Sequence, residues 1–457
     1  MIGVKLPSSF RDPNGFCFSK DGSVYRQINK SYRDNYDYLI NCGLYKAIVD
    51  RGLLIPHQEA DIGHEESDTA YKVIKPQPIP FISYPYEWCF SQLKDAALTT
   101  LKIQKIALEF GMSLKDSSAY NIQFVKGKPI FIDTLSFQRY KEGQPWVAYR
   151  QFCQHFLATL TLMNYLDVRL NQMLRVYLDG IPLDLASSML PFVTRMRFSL
   201  FSHIHLHSRS LKYFSKRDSK IKDYKMNRSG LLAIIDSLES AIRQLKGKFQ
   251  VSEWVNYYED SNYSADALAH KKQLILEFLN KVNPSCVWDL GANTGVFIRI
   301  ASGKGIQCVS FDSDPVVVEK NYAECIKRQE TNILPLFVDL TNPSPAIGWA
   351  SKERLSLVER GPTDTLLVLA LVHHLAISNN IPFITIAEFF KEICKTLIIE
   401  FVPPSDSWAQ RLLSRKQEGL SDYNQQNFEI EFKKYFIIQG SVKIRDSARI
   451  LYLMSVK

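Results

Sequence analysis

The segment that most constrains this chain is Cys286-Val287-Trp288-Asp289-Leu290-Gly291-Ala292-Asn293-Thr294-Gly295. An apolar run ends in an acid, turns on glycines and enters amphipathic sequence, which is strand, tight turn and helix in that order. Glycine lets backbone approach a ligand where a Cβ would stand in the way, so such a joint forms one wall of a nucleotide-type crevice. The alternation continues downstream. Apolar runs at 308–311, 334–338, 366–371 and 397–402 are separated by helical sequence, and the first two lead into Asp312 and Asp339. Strict alternation of this kind predicts a doubly wound α/β sheet. Two further β-rich runs, 435–438 and 449–454, predict a closing hairpin. Upstream, Ser264 is the expected N-cap of a helix that turns Leu268, Ile275, Phe278, Leu279 and Val282 inward and stops at Asn283 and Pro284.

The loop discriminates between cofactors. A dinucleotide fold uses G-x-G-x-x-G to rest a pyrophosphate on a helix N-terminus, whereas this loop reads D-L-G-A-N-T-G. Asp289 would repel a pyrophosphate and suits a cationic, amine-bearing head. The segment resembles motif I of class I S-adenosylmethionine-dependent methyltransferases, D-x-G-x-G-x-G, with Asn293 replacing the middle glycine. The resemblance implies a seven-stranded Rossmann-like sheet with an antiparallel seventh strand, S-adenosylmethionine as cofactor, and methyl transfer to an acceptor that is a small molecule, a glycan or a protein. It implies that Asp289, Gly291, Asn293 and Gly295 wrap the methionine part, that Asp312 holds the ribose hydroxyls with Asp314 as the weaker candidate, and that Asp339 and Leu340 meet the adenine. His373 and His374 fall where similar enzymes place substrate-side residues and are the candidate catalytic groups, a structural role being the alternative. Plainer readings stand beside these: an ordinary strand-turn-helix joint for Asp289, and a turn-forming aspartate for Asp339. Methyl transfer from a sulfonium chiefly needs a positioned acceptor, with a base only where the acceptor must lose a proton. Trp254, Tyr257, Tyr258 and Tyr263 form an aromatic group that covers the site or packs a core.

The first half reads differently. A helical run over 90–110 leads to Asp116 and Asn121, and a tight hairpin then delivers Asp133. This spacing resembles the catalytic loop and metal-binding aspartate of protein-kinase-like folds, in which the first Asp positions a hydroxyl nucleophile while the Asn and second Asp hold magnesium beside ATP. Residues 81–88 are similar to a strand and hinge. Departures are substantial: no glycine-rich loop precedes, Leu114 and Lys115 replace His-Arg, Thr134 and Leu135 replace Phe-Gly, and Arg26 is the sole stand-in for the strand lysine. An active phosphotransferase with a regulatory methyltransferase-like domain, a degenerate nucleotide- or acceptor-binding module, and a purely structural α+β domain are the three readings.

Length places these pieces. A chain of 457 residues, 46% apolar, accommodates two or three domains, here 1–205, 206–249 and 250–457. The excess of 56 Lys and Arg over 47 Asp and Glu gives +9, too mild over this length to require a nucleic-acid partner. Residues 207–230 are locally basic, with Arg209, Lys212, Lys216, Arg217, Lys220, Lys222, Lys225 and Arg228 against Asp218 and Asp223; such a run is a solvated linker or a docking strip. An amphipathic helix follows with Leu231, Ile234, Ile235, Leu238, Ile242 and Leu245 on one face. His203, His205 and His207 alternate as they would along one side of a strand, yet lack the further ligands of a metal site. No metal is expected. The eight cysteines are scattered without a C-x-x-C pair, which fits a reducing, cytoplasmic setting. The nearest approach to a membrane span, 189–206, is interrupted by Arg195 and Arg197, so no membrane partner is expected.

Overall fold

In the computed structural model Ser264 caps its helix as expected: the hydroxyl accepts from the Ala267 N–H, and Asn283 closes the other end at φ 48° in the left-handed region that Asn tolerates. The structure describes residues 3–62, 68–209, 226–250, 252–255, 263–415 and 422–457. The chain separates into two compact units, Met1–Gln250 with Ile347–Arg354, and Val251–Ala346 with Leu355–Lys457.

The second unit is built on one seven-stranded sheet. Its strands are β10 (Cys286–Leu290), β11 (Gln307–Asp312), β12 (Ile333–Phe337), β13 (Thr363–Val368), β14 (Cys394–Phe401), β15 (Phe436–Lys443) and β16 (Ile450–Val456). The order is β12-β11-β10-β13-β14-β16-β15, parallel except for β16, which runs antiparallel to both neighbours. Parallel register aligns the carboxyl ends: Leu290 sits beside Phe311 on one side and Val368 on the other. The strand order reverses between β10 and β13, and the loops diverge there to open a crevice. One core face gathers Val287, Ile298, Leu367, Ile398, Leu451 and Leu453 under the helix Ala265–Val282. Among the described residues no helix is long and apolar enough to cross a membrane.

The first unit opens with an antiparallel sheet ordered β1-β2-β3-β5-β4, from β1 (Val4–Lys5), β2 (Gly15–Lys20), β3 (Ser23–Asn29), β4 (His57–Glu59) and β5 (Ala70–Pro76). The long helix Phe90–Glu109 follows, with Leu93, Ala97, Leu101 and Ala107 buried. Then come β6 (Met112–Leu114), β7 (Ile122–Val125), β8 (Lys128–Phe131) and β9 (Phe137–Arg139), paired β6 with β9 and β7 with β8. The hairpin before Asp133 is therefore present. Residues 81–84 are not a strand, contrary to expectation. The backbone N–H and carbonyl of Ser83 are both taken by the Gln123 side chain, each at 2.9 Å, and Glu87 accepts from the Tyr84 N–H, so no sheet partner is engaged. The helix Arg228–Gln244 belongs to this unit, and Lys105 on the long helix pairs with its Asp236 and Glu239 at 2.6 Å.

The three alternating histidines lie on a helical turn, Phe201–Leu206 and its continuation, not on a strand. His203 bonds Tyr149 and Ser237, and His205 bonds Ser187 and Thr194. Most of the basic run, 210–225, lies outside the described residues.

Candidate active site

The β10 carboxyl end carries Asp289 into the interior of the second unit. Asp289 is 2% exposed, and among the described residues no hydrogen bond reaches its carboxylate. Burial pushes its carboxyl up to about 8; Lys271 works against that shift and Asp312 adds to it. Ionising so buried a carboxyl is costly in the empty protein and becomes favourable when a cation arrives.

The turn above it is sterically tight. Gly291 has φ +71° and Gly295 φ +80°; a Cβ on the second would fall 2.5 Å from Arg299 Nη1 and 2.6 Å from Asn321 Oδ1. Asn293 departs from the motif yet adopts φ 51°, a conformation Asn reaches at low cost. Its amide donates to the Trp254 carbonyl at 2.8 Å and accepts from the Thr294 N–H at 2.7 Å. The substitution is thus accommodated by geometry. Arg299 braces the far side of the turn, donating to the Thr294 and Gly295 carbonyls and pairing with Glu330 at 2.9 Å.

Asp312 ends β11, with one oxygen accepting from the Asn293 N–H at 2.8 Å and the other from the Asp314 N–H at 2.9 Å. Each oxygen keeps a lone pair for a ligand hydroxyl. Burial raises its carboxyl to about 6 against those backbone donors. Asp314 instead caps the following helix through the Val316 N–H. Asp339, at the end of β12, is exposed and accepts from both the N–H and hydroxyl of Thr341, while Leu340 is half-buried beside it. The turn-forming reading of Asp339 is the one this geometry supports.

Beyond β13 the backbone passes through Ala370 at φ 50° to Leu371, whose Cδ1 would stand 3.2 Å from a Cβ on Gly291. His373 and His374 follow, ring centroids 4.1 Å apart. His373 is buried with Nδ1 unpartnered, and burial holds it well below its ordinary value. Burial, with Arg449, lowers His374 to about 4, so both rings are neutral at pH 7. Trp254 meets His374 edge-on at 5.3 Å and lies 6.4 Å from Trp408. Tyr257 and Tyr258 lie outside the described residues.

The sequence reading missed the ionic network beneath this floor. Lys271 donates to Glu400 at 2.7 Å with both side chains at or below 1% exposure, and Arg449 clasps Asp406 at 2.8 Å. Tyr263 donates to Glu400 and accepts from Lys271 and Arg449. Glu400 also accepts from the Ala370 N–H at 2.8 Å, which fixes the strained residue that aims Leu371 and the histidines. Two signals were readable: Lys271 interrupts the apolar stripe of Ala267, Leu274 and Ile275, and Glu400 sits within an otherwise apolar strand. What neither revealed was that they meet.

In the first unit the hairpin brings Asp133 to Arg26, at 2.6 Å, and Arg26 also pairs with Asp12 at 3.0 Å. Asp133 accepts further from the Leu135 N–H at 2.9 Å and the Ser136 hydroxyl at 2.5 Å. Asp116 accepts from the Ser118 N–H at 2.9 Å, and Asn121 donates to Ser136 at 3.3 Å. Burial pushes the Asp116 carboxyl up, with the neighbouring Gln151 and Asn121 side chains opposing it. The acids are gathered, but a guanidinium and local donors fill the positions that magnesium would need, so these residues do not fit that ion as they stand.

A seven-stranded sheet of this order, with its glycine turn at the first strand and its one reversed strand, defines the second unit as a class I methyltransferase fold. No family model matches the chain. It is 32% identical over 463 residues to nodulation protein NoeA of Rhizobium meliloti (strain 1021), covering 98% of this chain and 95% of that protein. The chain belongs to the NoeA family. Similar solved structures include magnesium protoporphyrin IX methyltransferase (ChlM) of Synechocystis PCC 6803 with bound SAH, at 14% identity, 45% of this chain, 93% of that one and TM-score 0.32. The N-methyltransferase NodS of Bradyrhizobium japonicum WM9 matches at 12% identity over 42% of this chain and 98% of its own, TM-score 0.30.

Proposed function

We propose that the second unit binds S-adenosylmethionine and that the chain is a methyltransferase whose acceptor lies at the carboxyl ends of β13 and β14. The observation that carries this reading is the buried, unbonded carboxylate of Asp289 beneath a turn with no room for a Cβ at Gly295. Lys271 is already committed to Glu400, so an incoming ammonium is the group that answers Asp289. When bound, the cofactor supplies an electrophilic methyl group on a sulfonium. Asp289 receives its amino group, the turn Gly291–Asn293–Gly295 admits its methionine part, and Asp312 offers a lone pair on each oxygen to vicinal hydroxyls. Leu340 supports an apolar edge for the adenine better than Asp339 supports a polar one. Trp254, His374 and Trp408 wall the acceptor side, and a neutral His374 can take a proton from an acceptor that must lose one. His373, more deeply buried, fits a positioning role. Kinship with NoeA brings a role in nodulation into the same proposal.

The competing phosphotransferase reading of Asp116, Asn121 and Asp133 has less support, because Arg26, Leu135 and Ser136 already occupy the Asp133 carboxylate. Calorimetric titration of the full chain with S-adenosylmethionine, S-adenosylhomocysteine and magnesium-ATP separates the two. Micromolar binding of the first two, weakened about 100-fold by the near-isosteric Asp289→Asn, is the expected outcome. Unchanged affinity in that variant, or binding of magnesium-ATP alone, would overturn it.

A further inference from the structure

Residues 189–206 are the stretch that Arg195 and Arg197 disqualify as a membrane span, and the structure gives those arginines another setting. The segment folds as short turns, Phe192–Met196, Phe198–Leu200 and Phe201–Leu206. Its inner face is firmly held. Thr194 is fully buried and donates to the Pro191 carbonyl at 2.7 Å, its hydroxyl also lies 2.8 Å from His205 Nε2, and Leu200 and Ile204 are buried. Its outer face is apolar: Phe192 is 71% exposed, Met196 77% and Phe198 81%, with Val193 and Leu206 at 49%. Phe198 and Met196 are the two most exposed large apolar side chains among the described residues. Scattered exposed apolar residues are ordinary, but several along one short segment mark a contact surface.

Charge narrows the partner. Around the buried Thr194 the exposed residues are Phe192, Val193, Arg195, Met196, Arg197 and Phe198, and residues 185–217 contain no Asp or Glu. The Arg195 guanidinium lies 5.8 Å from the Phe192 ring centroid and that of Arg197 5.7 Å from the Tyr165 ring, so each stays beside an aromatic group, with no ion pair to a carboxylate among the described residues. A partner must therefore offer an anionic surface directly above an apolar layer. Nucleic acid offers the charge without the layer.

We infer that this edge of the first unit docks on an anionic bilayer surface, with Phe192, Met196 and Phe198 entering the boundary between headgroups and acyl chains and Arg195 and Arg197 facing lipid phosphates. This is peripheral contact, compatible with the absence of a spanning helix among the described residues. Co-sedimentation of the full chain with phosphatidylcholine vesicles, with and without phosphatidylserine, tests it. The expected result is partition onto the anionic vesicles only, reduced at least about tenfold both by Arg195→Glu with Arg197→Glu and by Phe192→Ser with Phe198→Ser, with melting temperature unchanged since all four side chains point to solvent. Failure to partition, or partition that either pair of substitutions leaves intact, would overturn the inference. So would a self-association abolished by Phe192→Ser, or an RNA affinity that depends on the arginines and not on the phenylalanines.

Discussion

Asp289 and Asp133 each end or follow a strand and lie in an acidic, cation-containing cluster, yet they are opposites. The Asp133 carboxylate has an arginine at 2.6 Å, a backbone N–H and a serine hydroxyl; among the described residues no hydrogen bond reaches the Asp289 side chain, which is 2% exposed. The cations differ in the same way. Arg26 belongs to Asp133 and Asp12, whereas Lys271, the cation nearest in effect to Asp289, is bound to Glu400. A cluster that is internally satisfied is structure, and one left with a buried carboxyl that only an incoming cation would ionise is prepared for a ligand.

The comparison can be broken most forcefully at Lys271. Lys271→Met leaves Glu400 buried with half of its cationic support removed and should cost about 3–5 kcal/mol in denaturant unfolding of the second unit. A loss under 1 kcal/mol, on the order of a surface substitution, would show the network to be incidental. Arg26→Met is the counterpart in the first unit. The Arg26 and Asp133 side chains retain 12% and 15% exposure, so the expected cost is smaller, about 1–3 kcal/mol. Affinity for S-adenosylmethionine should not change; a drop would mean that the first-unit acids serve the cofactor after all.

The finest test is pH. The folded protein holds a proton on Asp289 up to about 8, whereas the unfolded chain releases it near pH 4. Stability from this group is therefore complete below about pH 4 and is lost as pH rises toward 8, at up to about 1.4 kcal/mol per pH unit. Asp312, raised to about 6, adds to the slope over the lower part of that range. Thermal melts from pH 5 to pH 8, which cover about three-quarters of that interval, should fall more steeply in the wild type than in Asp289→Asn. Bound cofactor should flatten the wild-type slope. Parallel curves in the two proteins would remove the claim that Asp289 is held protonated.

Much of this was legible in sequence because it is local. Ser264 and Asn283 bracket a helix by capping chemistry, each strand of the second half announces itself as an apolar run, and Asp289 through Gly295 dictate a tight turn within ten residues. The exchange of glycine for Asn293 could be noticed but not judged until its φ of 51° was known. Residues 81–84 misled because an apolar stretch does not say which group will take its backbone bonds, and Gln123 lies 40 positions away from Ser83. Likewise three alternating histidines have a strand's period on paper, while the helical turn they occupy is set by what Thr194, Ser187, Tyr149 and Ser237 offer them.

By itself, then, the sequence determined the doubly wound sheet, the glycine turn and the strand-end acids, since periodicity and turn chemistry act over a few residues. Tertiary structure decided which acids are satisfied. Whether Asp133 meets Arg26 across 107 positions, whether Glu400 claims Lys271 across 129, and whether Phe192 and Phe198 face solvent all depend on long-range packing, and burial is what turns those meetings into charge states and contact surfaces.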